Sequence, residues 1–189
     1  MHHLKKNIIL TGFMGTGKTT VGVELSIRLN MQLIDVDSEI VAQAGMPITE
    51  IFDKLGEKKF RDMETAQCLR LSKLNNVIIS TGGGVVLRKE NMDYFRKNGI
   101  IICLTATPET IYKRVETDCG RPLLNSDNLL EKIERLLSER KSFYQNADMT
   151  INTDNKIPLE IAWEIIETLH EGSAFFIPQR DSSWGSETL

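Results

Sequence analysis

Histidine is scarce in this chain: there are three, and two of them, His2 and His3, sit at the extreme N-terminus. That leaves little room for imidazole-based acid–base chemistry. Cysteine is equally scarce. Cys68, Cys103 and Cys119 are odd in number, far apart and in no C-x-x-C spacing, which excludes a disulfide framework and a cysteine zinc site and fits reduced thiols in a cytosolic protein. No charge sign dominates, since 23 basic against 26 acidic residues give −3. This argues against a general nucleic-acid binder but leaves room for a local basic pocket. Long apolar runs are missing too. Ile8 to Leu10 is too short for a signal-peptide core or a membrane span and runs straight into a loop, so neither export nor membrane insertion is expected. No repeat, low-complexity tract or linker interrupts the 189 residues, a length that predicts one domain with a full core.

What is present begins with Gly12-Phe13-Met14-Gly15-Thr16-Gly17-Lys18-Thr19, which fits the G-x-x-x-x-G-K-[ST] phosphate loop at every position. The apolar run Asn7–Leu10 before it reads as a strand, and Val21, Leu25 and Leu29 after it recur on one helical face. In that context the glycines let backbone N–H groups approach an anion, and the following helix offers unpaired donors and a partial positive charge. Lys18 is positioned for the β- and γ-phosphates and the Thr19 hydroxyl for Mg²⁺. The competing reading is a glycine-rich turn that binds nothing, and the strand–loop–helix context counts against it.

Strands are expected at about 7–11, 32–35, 77–80, 100–104 and 149–152, with helices between them. Such alternation gives an α/β fold with a parallel sheet covered on both faces. Ligands of such sheets bind beyond the carboxyl ends of the strands, so chemistry is expected there. After strand two comes Asp35-Val36-Asp37. Read as strand residues i and i+2, the two carboxylates face the same way, roughly 7 Å apart. One could bind Mg²⁺ and the other accept the proton of an attacking hydroxyl; alternatively Asp37-Ser38 merely caps the next helix. Arg61 and Glu64 sit three apart on a helix; by spacing alone a solvated surface bridge of little worth is favoured. Gly82-Gly83-Gly84 directly follows strand three, either as bare backbone against a small substrate or as a flexible turn.

Residues 117–127 lack any period and carry Arg121 near their middle, which suits a phosphate-covering lid or, failing that, a mobile surface loop. In the helix from about Asn128 to Tyr144, Arg140 falls on the stripe of Ile133, Leu137 and Tyr144. A guanidinium there needs an anion or a route back to water, and spacing does not choose between them. A helix from Leu159 to His170 ends the domain, and residues 171–189 read as a poorly ordered tail around Phe175-Phe176-Ile177.

Taken together, Gly12 to Thr19, Asp35 and Asp37, Ile51-Phe52 through Gly56-Glu57 and Phe60-Arg61 to Glu64, Gly82 to Gly84, Arg121-Pro122-Leu123-Leu124 and Arg140 resemble shikimate kinase over about residues 6–170. The resemblance implies a three-layer P-loop kinase fold with five parallel strands in the order 2-3-1-4-5. It implies that ATP phosphorylates the 3-hydroxyl of shikimate on the route to chorismate and the aromatic amino acids, in a cytoplasmic monomer with Mg²⁺ as cofactor. Gly12, Met14, Gly15, Thr16, Gly17, Lys18, Thr19 and Thr20 would bind ATP, with Arg114 near adenine and Arg121 on the transferring phosphate. Thr19 and Asp35 would hold the metal. Asp37 would hold the substrate hydroxyls and serve as base. Arg61, Gly82, Gly83, Gly84 and Arg140 would contact the substrate, and Glu64 would orient Arg61. The lid approach Asp118-Cys119-Gly120 departs from the family pattern, as does Thr19 where many members have serine. Two rivals remain at this level: a gluconate-type kinase, and a nucleotide switch without a small substrate. The switch is disfavoured by the absence of an Asn-Lys-x-Asp signature.

Overall fold

Two apolar faces alternate along the first strand, and they decide the architecture. Ile9 faces one way, Ile8 and Leu10 the other, and all three are fully buried, because successive strand side chains point to opposite faces. In the computed structural model, which describes residues 6–116 and 128–171, β1 (Asn7–Gly12) is accordingly the central strand of a five-stranded parallel sheet. It pairs with β3 (Val77–Ser80) and β4 (Gly99–Thr105), while β2 (Gln32–Asp35) and β5 (Met149–Asn152) form the edges. The order is β2-β3-β1-β4-β5, as the resemblance implied, and the five expected strands all form.

Helices cover both faces. On one, α1 (Lys18–Leu29) and α7 (Pro158–Glu171) pack Val21, Leu25, Ile161 and Ile165 against Ile8, Leu10 and Ile102. On the other, α2 (Val36–Ala44), α3 (Ile48–Leu71), α4 (Lys89–Arg96), α5 (Pro108–Val115) and α6 (Leu129–Tyr144) bring Ile40, Ile51, Leu71, Phe95, Ile111 and Ile133 to Ile9, Ile79 and Ile101. Each fully buried Ile or Leu stabilises the fold by roughly 1.5–3 kcal/mol relative to exposure. Helix α3 is bent at Gly56, where φ 80 and ψ 160 interrupt the helical backbone. Cys68 and Cys103 are buried and free, in keeping with the thiol expectation.

Parallel pairing sets all the carboxyl ends on one edge, with Asp35 opposite Ser80 and Gly12 opposite Leu104. One local expectation needs correcting here. Strand β2 stops at Asp35, and Asp37 stands in the first turn of α2, so the two carboxylates are not strand neighbours at i and i+2. The helix starts early because Asp35, in extended conformation, accepts the Ser38 N–H at 3.0 Å; it is Asp35 that caps α2, not the Asp37-Ser38 pair. Helix α7 also runs one residue further than expected, through Glu171. The lid region 117–127, with Arg121 and Cys119, and the tail beyond 171 lie outside the described residues.

Candidate active site

The phosphate loop joins β1 to α1, and its first glycine has no substitute. Gly12 has φ 136, and a β-carbon there would fall 2.3 Å from the backbone oxygen of Leu104, a contact no side chain can make. Helix α1 begins without a side-chain cap or an acidic residue in its first turn, whereas α2 is capped by Asp35 and α5 by Thr107. Uncapped first-turn N–H groups are the donors an anion needs. Lys18 is buried and donates through Nζ to the carbonyls of Gly12 and Phe13, both at 2.8 Å. Thr16 Oγ1 donates to Phe13 O at 2.8 Å and Thr20 Oγ1 to Gly17 O at 3.0 Å. The Met14 side chain turns into the core, which leaves only its backbone at the loop surface.

Beside this loop, Thr19 Oγ1 lies 3.4 Å from Asp35 Oδ2 and 3.4 Å from Ser80 Oγ. Both separations are long for direct hydrogen bonds. The three oxygens form a hard-ligand set that fits Mg²⁺, an ion usually held by one or two carboxylates together with water and substrate phosphates. Among the described residues no group of three or more His, Cys, Asp and Glu gathers into a protein-only metal cage. Ser80 went unnoticed in the sequence because a serine closing a strand carries no spacing signal.

The Gly82–Gly84 turn is where the rest of the site converges. A β-carbon on Gly82 would lie 2.6 Å from Asp37 Oδ1, one on Gly83 would lie 3.3 Å from Met14 N, and one on Gly84 would lie 2.2 Å from Arg61 Nη1. Three adjacent residues thus lie against the helix-borne carboxylate, the phosphate loop and the arginine of α3. The turn is packed against its neighbours on this edge and is not a free loop. Arg88 ties the end of the turn to α3, donating to Asp62 Oδ1 at 2.8 Å and Thr65 Oγ1 at 3.1 Å.

Arg61 donates to Glu64 Oε2 at 2.9 Å and, more weakly, to Glu57. Glu64 is 1% exposed, so the surface-bridge reading fails. Burial pushes the Glu64 carboxyl up to about 7; the Arg61 charge and hydrogen bond pull it down, and the Asp37 charge pushes it further up. Burial alone would lower the Arg61 pKa, but Glu64 and Glu57 outweigh it and raise it, so the guanidinium stays charged. Removing Glu64 would leave that charge poorly compensated in a half-buried place.

Arg140 lies on the same flank. Its Cζ sits 5.9 Å from the centroid of the Phe13 ring, in the phosphate loop itself, on the residue whose carbonyl accepts from Lys18. One turn further along α6, the buried Tyr144 donates its hydroxyl to Gly83 O at 2.7 Å. Its packing position hid this bond from the sequence.

A cavity of about 490 Å³ lies along the loop, lined also by Asp37, Gly83, Arg114, Ile157 and Pro158, within the usual range for small-molecule sites. Arg114 donates to Gly15 O at 3.2 Å and to Thr153 O and Oγ1 at 2.8 and 3.0 Å. It therefore joins the phosphate loop to the segment between β5 and α7. Lys156 and Ile157 of that segment, with Pro158 at the start of α7, line the cavity and were missed because the segment has no motif of its own.

The sequence model of the shikimate kinase family matches residues 14–170. A shikimate kinase of Caldicellulosiruptor bescii is 52% identical over 165 residues, covering 87% of this chain and 95% of the relative. One from Caldanaerobacter subterraneus is 47% identical over 161 residues, covering 85% and 94%. Among solved structures, the shikimate kinase of Acinetobacter baumannii in complex with shikimate superposes with a TM-score of 0.86 at 34% identity, covering 89% of this chain and 94% of the other. That of Aquifex aeolicus gives 0.75 at 35% identity, covering 88% and 98%.

Proposed function

The chain belongs to the shikimate kinase family, and we propose that it transfers the γ-phosphate of ATP to the 3-hydroxyl of shikimate through the residues gathered at this sheet edge. The observation that carries the reading is the glycine turn, on which Asp37, the phosphate loop and Arg61 meet. A kinase must bring an acceptor oxygen, a base and a phosphate cradle within a few ångströms of one another.

The loop amides, the first turn of α1 and Lys18 hold the phosphate chain. Arg61 and Arg140 take the acceptor carboxylate, with Glu64 keeping the Arg61 fork in place. The bare backbone of Gly82 to Gly84 lets the ring lie close. Asp37 accepts the proton as the 3-hydroxyl oxygen attacks the γ-phosphorus and the bond to the β,γ-bridging oxygen breaks, its electron pair leaving on ADP. Arg121 adds positive charge at the transferring group. Thr19 and Asp35 would hold Mg²⁺, which when bound neutralises charge on the β- and γ-phosphate oxygens. Arg114, Ile157 and Pro158 would receive the nucleoside end.

In this reading residues 1–170 form one kinase domain with a lid at about 117–127, working as a cytoplasmic monomer on ATP and shikimate, without nucleic-acid or membrane partners. No helix among the described residues is long and apolar enough to cross a membrane. Coupled ADP-release assays with shikimate and with gluconate test the assignment. Shikimate-dependent release is expected. A preference for gluconate, or nucleotide binding with transfer to neither acid, would refute it.

A further inference from the structure

The carbonyls of the glycine turn are satisfied unequally. Gly82 O accepts the Val85 N–H at 3.2 Å and Gly84 O the Leu87 N–H at 3.0 Å, both from the 3-10 turn that follows. The middle carbonyl, Gly83 O, accepts from the Tyr144 hydroxyl, 61 residues away on α6. Gly83 is also the glycine laid flat on the phosphate loop, with Met14 N and Gly12 O the nearest atoms to its missing β-carbon. A buried tyrosine needs some acceptor for its hydroxyl, and any carbonyl would serve that need. Here the acceptor is the backbone the acceptor substrate must touch. Arg140 stands one turn earlier on the same helix, near enough that its charge, like that of Arg61, pulls against the burial of the phenol. From the loop side, Phe13 stands under the Arg140 guanidinium.

We infer that Tyr144 is a positioning residue for the acceptor: its hydroxyl clamps Gly83 O to the helix that carries Arg140 one turn earlier, so that glycine turn and guanidinium keep one separation. The inference rests on the reading of Arg140 as a ligand of the acceptor carboxylate. The phenol suits the role because burial pushes its pKa up to about 12, against the opposing pull of Arg140, so it remains a donor throughout the working range. The ring is held by the core it shares with Ile133 and Cys103, leaving the hydroxyl little freedom to wander. Without the hydroxyl, Gly83 O loses its donor and the turn is free to shift against α6, so its place relative to Arg140 must be fixed again each time the acid binds.

The test is a double-mutant cycle of Y144F and Arg140→Ala, read in KM for shikimate, KM for ATP and thermal midpoint. Y144F should raise KM for shikimate about tenfold, the loss of one well-placed hydrogen bond, and leave KM for ATP within about twofold. In the Arg140→Ala background it should add little, because Tyr144 acts by fixing the turn's distance from that side chain. Equal rises in both KM values, a full independent effect in the Arg140→Ala background, or a lowered thermal midpoint with unchanged shikimate KM would each overturn the inference. If Arg140→Ala itself leaves shikimate KM unchanged, the reading of Arg140 falls and this inference with it. If Arg140→Ala raises it and Y144F does not, only the inference about Tyr144 falls.

Discussion

The Arg61 guanidinium lies so close against Gly84 that a methyl group added to the glycine would fall 2.2 Å from Nη1 and 2.6 Å from Cζ. The backbone of Gly84, at φ −98 and ψ −8, is open to any residue, so the glycine is required for space alone. What an added methyl would strike is the end of a long side chain, which can swing aside. Gly84→Ala should therefore fold with stability changed by less than about 1 kcal/mol, while KM for shikimate rises by about tenfold or more because the fork is misplaced. Steady-state kinetics beside a denaturant titration separates the two effects. An unchanged shikimate KM would mean that Arg61 does not contact the acceptor.

Asp37→Asn keeps the size of the side chain beside Gly82 but cannot take a proton. Turnover should drop by roughly two to four orders of magnitude, the range for a general base, with KM for ATP little affected. Wild-type turnover in this variant would remove Asp37 from the base role.

Asp35 has two tasks that substitution can pull apart, since Oδ1 caps α2 at Ser38 N and Oδ2 faces Thr19. Asparagine can still cap but brings no charge. Asp35→Asn should raise the Mg²⁺ concentration for half-maximal activity by about tenfold or more at near-normal stability. Asp35→Ala should show the same metal effect and also lose about 1 kcal/mol of stability. Titrating Mg²⁺ at saturating substrates distinguishes them; a metal requirement unmoved in both variants would remove Asp35 from the metal site.

The Glu64 carboxyl, raised by burial from its ordinary 4.5 to about 7, makes a prediction in pH. Between those two values the folded protein holds a proton that the unfolded chain has released, so stability falls as pH rises through the interval. The cost is absent below about 4.5 and complete above about 7. Denaturant titrations at pH 5 and 7.5 should show the stability difference, wild type minus Glu64→Gln, becoming less favourable to wild type at the higher pH. A difference that stays constant or moves the other way contradicts the assignment.

The sheet was legible because β1 and β4 are short, almost wholly buried runs bounded by polar and glycine residues, and because the phosphate loop fixes what lies on either side of it. Arg140 was legible as a charge on an apolar stripe. What could not be read was depth. The spacing of Arg61 and Glu64 is the same in a solvated pair and in one with a 1% exposed carboxylate; only the packing of α3 under the glycine turn decides. Asp37 was misplaced because the helix begins one residue after Asp35, and a two-residue period and a helix start look alike over three residues. The Tyr144 hydroxyl meets Gly83, 61 residues away, and Pro158 lines the cavity with residues of the phosphate loop; a local pattern holds no trace of either.

Gly56 is the counterpart of Gly84. At the bend of α3 its torsions are φ 80 and ψ 160, and a β-carbon there would meet nothing within 4 Å. The bar to replacing it is handedness, not bulk. A residue of opposite chirality finds those angles an ordinary extended conformation. D-alanine installed by chemical ligation should therefore preserve the bend and narrow the unfolded ensemble, where L-alanine would have to straighten the chain.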